Sequence, residues 1–134
     1  MSIRTEIVIL NKSSDKDYLK INTSKREINL NARLLKFPDK DTKQIIYYIP
    51  AIDITGYGEN DEKAIEMLNF SVKEFFAFLE NLTRRQLETE LYKLGWNKVW
   101  YKQKEYSKAH VDAKGELQNF NAIAEEVQLL TVEA

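Results

Sequence analysis

The sequence predicts an α+β protein: an antiparallel sheet of three or more strands with one long amphipathic helix packed on it (βββα-like), then a short helix and a mixed tail. Three observations predict it. Residues 28–34 alternate apolar and polar, as a half-buried strand requires. After Gly58 the apolar spacing changes from two to three and four. Helix-start chemistry appears at Asn60 and again at Thr83. With 134 residues, 43% of them hydrophobic and 31% charged, the chain has the length of one domain and the apolar content for a packed core. One domain over 1–134 is expected, with its core in 28–82 and an extension over 83–134.

Taken in order, residues 3–10 are rich in β-branched side chains and read as a strand, broken by the turn formers of 11–17. Residues 18–22 read as a short strand. Pro38-Asp39-Lys40-Asp41 makes a turn, because proline presets φ and aspartate bonds local amides. Residues 44–54 are apolar and aromatic enough for a strand on each side of Pro50, with a bulge or a sheet edge at the proline, which has no N–H to donate. Gly56-Tyr57-Gly58 reads as a turn in which glycine supplies positive φ.

Asn60 then caps a helix with Asp61 and Glu62 in its first turn, where the helix dipole favours them. Ile65, Leu68, Val72, Phe75, Leu79 and Leu82 form a stripe of about six turns, broadened by Ala64, Met67, Phe76 and Phe78. Phe70 falls nearly opposite that stripe and is an exposed-aromatic candidate for an interface. Thr83-Arg84-Arg85-Gln86 matches a capping box, Leu87, Leu91 and Leu94 share a face, and Gly95 suits the left-handed position after the helix. Residues 96–106 read as strand or extended loop, 112–115 as a turn, 117–124 as helical and 126–132 as a final strand.

Composition excludes several chemistries. The chain has no cysteine, which removes disulfides, thiolate nucleophiles and Cys-based zinc or iron–sulfur sites. Its single histidine, His110, lies in a polar stretch without an elbow or glycine motif and reads as solvent-facing. Gly56 and Gly58 lack the third glycine of a dinucleotide fingerprint and the Gly-Lys-Ser/Thr of a P-loop. No cofactor and no metal site is expected. The start of the chain is too polar for a signal peptide, and no apolar run approaches a membrane span, so a cytoplasmic protein is expected.

The segment Tyr48-Ile49-Pro50-Ala51-Ile52-Asp53-Ile54-Thr55-Gly56-Tyr57-Gly58-Glu59-Asn60-Asp61-Glu62-Lys63-Ala64 resembles the HicB-like antitoxin domain. In that family a strand ends in a Pro-Asp-Leu-Pro-Gly-type turn, crosses a Gly-Asp-Thr-type step and enters a helix opening with Glu-Glu-Ala. Asp53, Gly56, Gly58, Glu62 and Ala64 stand at the corresponding steps, and the resemblance covers about 28–82. It implies a non-catalytic protein that acts by binding a partner, a small mRNA-cleaving toxin. Residues from 83 onward supply one capped helix and no recognition helix beside it, so DNA binding is not expected. The strand edge near Pro50 and the aromatic surplus suggest a homodimer.

An alternative function lies in 84–114, where eight basic side chains face four acidic ones in a chain of net charge −1. Tyr92, Trp96, Trp100, Tyr101 and Tyr106 are interleaved with them. Cations that track phosphates beside rings that stack on bases describe an RNA or single-strand binder, with Arg84, Arg85, Lys98, Trp100, Lys102 and Lys104 as its candidate residues. The competing reading puts the tryptophans in the core. A third reading is a metal-dependent hydrolase using Asp53 with Glu59 or Asp61. It is disfavoured because Asp61 and Glu62 already serve the helix dipole, and Asp39 and Asp41 the turn.

Overall fold

The computed structural model describes residues 6–12, 17–22, 27–96, 102–103, 122 and 126–134. Seven strands form one antiparallel sheet among these residues: β1 (Val8–Leu10), β2 (Asp17–Asn22), β3 (Glu27–Pro38), β4 (Ile45–Ile49), β5 (Ile54–Gly58), β6 (Lys102–Gln103) and β7 (Gln128–Glu133). Helices α1 (Asp61–Glu80) and α2 (Arg84–Lys93) follow β5. The expected class is observed, with α1 packed on the sheet and β3, β4, β5 and α1 consecutive in the chain.

β3 is the organising strand. Asn31 pairs with both Tyr18 and Glu133, and Lys36 with both Tyr47 and Gln128. β7 therefore runs along one edge of β3, while β2 and β4 share the other edge end to end. The alternation at Leu30, Ala32 and Leu34 points these residues into the main core with Tyr47, Ile49, Leu68, Val72, Phe76 and Val132. β3 continues four residues past the expected strand, and Leu35 and Phe37 turn to the opposite face. There they cluster with Tyr48, flanked by Ile46, Ala122 and Val127. Apolar residues on both faces of this half of the strand hide its continuation from a period-two reading.

Two expectations around Pro50 are corrected. No bulge forms: Pro50–Ile52 is a 3-10 turn that joins β4 and β5 as a hairpin, and Pro50 sits at its start, where a missing N–H costs no hydrogen bond. Gly56-Tyr57-Gly58 is not a turn but the body of β5. Neither glycine has positive φ; among the described residues Gly95 is the glycine that does, at 94°, after α2 as expected. What β5 needs is space. A Cβ on Gly56 would lie 2.6 Å from the Ala64 carbonyl oxygen and the Leu68 nitrogen, and one on Gly58 would lie 2.8 Å from the Ala64 nitrogen. The helix backbone rests directly on this strand.

α1 begins as expected, with the Asn60 side chain accepting from the Lys63 amide at 2.9 Å, and ends at Glu80, two residues short of the expected stripe. Both flanks of α1 touch the sheet margins. Asn69 Oδ1 accepts the Ile7 amide just before β1 at 3.0 Å, and Met67 Sδ lies 3.5 Å from the Tyr57 amide on β5. Side chains thus meet edge amides that would otherwise invite another strand. α2 carries the complete capping box of Thr83 and Gln86. No helix of the described residues is long and apolar enough to cross a membrane.

Candidate functional site

The β5–α1 junction gathers charged groups around the helix start. In the β3–β4 register Lys36 stands opposite Tyr47, and both reach Asp61 in the first turn of α1. The Tyr47 hydroxyl donates to Asp61 Oδ1 at 2.9 Å, and Lys36 Nζ lies 2.9 Å from the same oxygen and 5.6 Å from the Tyr47 ring centre. The Lys36 hydrogen bond, aided by Tyr47, holds the Asp61 carboxyl below the usual carboxylate range. The same bond to Asp61 raises the Lys36 ammonium. Burial, then the bond to Asp61, pushes the Tyr47 hydroxyl up. This cluster ties the helix start to the sheet. Sequence reasoning assigned Asp61 to the dipole and missed its two partners, which only the strand register brings opposite one another.

Of the carboxylates considered for hydrolysis, Asp39, Asp53 and Asp61 are engaged in turns or at the helix start. Asp53 has φ 52° and its Oδ1 accepts from the Tyr48 hydroxyl at 3.0 Å. Asp39 Oδ2 accepts from the Asp41 and Thr42 amides at the turn. Among the described residues no group of three or more His, Cys, Asp or Glu could hold a metal ion. His110 lies outside the described residues.

The basic aromatic stretch divides. Trp96 is buried in the core, 3% exposed, and its Nε1–H donates to the Ala51 carbonyl at 3.0 Å. Arg84 and Arg85 are exposed in the first turn of α2, with Arg84 Nε 3.9 Å from Glu88. Lys102 belongs to β6, opposite Tyr18 on β2. Lys98, Trp100 and Lys104 lie outside the described residues. The structure therefore places two of the six candidates together, on α2.

The outer face of α1 offers a different surface. Residues four apart on a helix form a ridge, and here that ridge is Glu62, Glu66, Phe70, Glu74 and Phe78, all exposed. Phe70 is 63% exposed and Phe78 46%. At its C-terminal end the ridge meets a groove of about 400 Å³ lined by Phe78, Leu82, Arg85, Gln86, Thr89 and Glu90. Residues 53–80 carry seven acidic and two basic side chains, in contrast to 84–114. Sequence reasoning singled out Phe70 but counted Phe78 with the core stripe; its spacing of eight residues from Phe70, two steps along the same ridge, was the available signal.

Comparison with protein-family models, curated proteins and solved structures returns no match for this chain.

Proposed function

We propose that this chain is a non-catalytic binding protein that occupies a protein partner, a small toxin of the kind the HicB-like resemblance implies. The observation that carries the reading is the exposure of Phe70 and Phe78 on a helix whose other face is packed. Exposed aromatics on a rigid element, beside a groove, are the usual anchors of a protein interface. The order of three antiparallel strands and one helix over the resembling segment supports it. So does the engagement of Asp39, Asp53 and Asp61 in holding turns and the helix start.

The test is photo-crosslinking from position 70 of the full chain in its native cell. The expected result is one stoichiometric protein adduct, whose component arrests growth when expressed alone and does not when co-expressed with this chain. Recovery of RNA without a protein adduct would overturn the proposal and transfer function to Arg84 and Arg85.

A further inference from the structure

We infer that the α1 ridge docks a basic protein surface, one that places lysine or arginine beside two apolar sockets. This inference rests on the proposed function and names the site and its partner chemistry. Glu62, Glu66 and Glu74 alternate with Phe70 and Phe78 along one line of the helix. At 1.5 Å rise per residue the two rings are about 12 Å apart, with the Glu74 carboxylate between them.

Among the described residues no cation pairs with Glu62, Glu66 or Glu74. Lysine or arginine four residues from these glutamates would form supporting pairs along the helix. Phe70 and Phe78 stand four residues from Glu66 and Glu74 instead. Lys63 stands three residues before Glu66 without an ion pair to it among the described residues, and the net negative charge of the ridge selects the occupant. A nucleic acid backbone or an anionic bilayer is repelled. A second copy of this chain, paired ridge to ridge about a two-fold axis, would set glutamate against glutamate, and like charges brought together cost binding. A cationic protein face neutralises the carboxylates, and the two rings supply the apolar burial that charge alone does not.

The probe is a designed amphipathic helical peptide with leucines on one face and lysines flanking them, titrated into the ¹⁵N-labelled full chain. A second peptide with glutamates for the lysines is the control. The lysine peptide is expected to shift the amides of Glu66, Phe70, Glu74 and Phe78 and to bind about tenfold more weakly when ionic strength rises from low to physiological salt. Phe70→Ala, and Glu66→Gln with Glu74→Gln, are each expected to weaken it about fivefold or more while thermal unfolding stays unchanged, since all three side chains are exposed. Binding that ignores these substitutions, shifts centred on α2, or equal binding of the glutamate peptide overturns the inference. If the adduct from position 70 forms and its protein component arrests growth when expressed alone, but that component's affinity for this chain is insensitive to salt and to the glutamine substitutions, the basic-partner inference fails and the proposed function stands. If no protein adduct forms, both fail.

Discussion

Asp17 Oδ1 accepts the backbone N–H of Arg33 at 2.8 Å while the same carboxylate holds the Arg33 guanidinium through Nε, at 3.1 Å, and Nη2. Both side chains are buried. The pair sits where β2 and β4 abut along one edge of β3, between the Asn31 and Leu35 pairings. At that seam neither strand offers Arg33 a ladder carbonyl, and the Asp17 side chain stands in for one. Asp17→Ala removes both the acceptor and the counter-charge and leaves a buried guanidinium. Its expected cost is about 3–5 kcal/mol, read as a lower urea midpoint. Asp17→Asn keeps an amide oxygen for the Arg33 N–H and is expected to lose less. Equal losses would show that the backbone hydrogen bond at the seam contributes nothing.

Gly56→Ala is expected to destabilise the fold by about 1–3 kcal/mol or more through overpacking. The added methyl meets the Ala64 carbonyl and the Leu68 amide nitrogen, which are helix backbone and cannot rotate away. Gly95→Ala is the comparison. Its φ of 94° is strained for any residue with a Cβ, so about 1 kcal/mol is expected there from conformation alone. Urea titration of both variants separates contact from conformation, and a milder Gly56→Ala would show that α1 shifts away from β5 at little cost.

Much of this fold was readable from local chemistry. Asn60, Thr83 with Gln86, and Gly95 each act within three or four residues of themselves, and each does what its type predicts. The paired glycines misled because glycine serves both turns and close approach. Only the helix lying across β5 decides between them, and that is a contact between elements. Asp17 with Arg33, and Lys36 with Tyr47 and Asp61, escaped for the same reason: strand register made them neighbours. Phe70 was legible because an apolar residue off the stripe stands out. Phe78 lies on the edge of the stripe and was not.

The Asp61 cluster predicts a specific pH dependence. Its carboxyl is depressed in the folded state, so its contribution is fully present above the ordinary value of 3.8 and is lost as pH falls through the lower folded value. Lys36 and Tyr47 are both raised. Their contributions hold below 10.5 and 10.0 respectively and fade as pH climbs through the raised values. Asp61 is 54% exposed at its side chain, so solvent screening keeps the acid-side effect below about 1 kcal/mol. Asp61→Asn is expected to flatten the acid limb of a stability–pH curve below pH 3.8 relative to the parent chain. Unchanged acid limbs would assign that loss to other carboxylates.

The first turn of α2 sets two effects of opposite sign against each other. Thr83 and Gln86 satisfy one amide each, and Thr83→Ala is expected to cost about 1 kcal/mol. Arg84 and Arg85 stand in the same turn, which holds no acidic residue, and the helix dipole disfavours positive charge there. Arg85→Glu is therefore expected to raise stability by about 0.3–1 kcal/mol, seen as a higher melting temperature at low salt that converges with the parent at high salt. The same variant tests the nucleic-acid alternative. A chain that binds oligonucleotides through this turn should lose affinity as it gains stability, and a chain that binds protein through α1 should gain stability with no oligonucleotide affinity to lose.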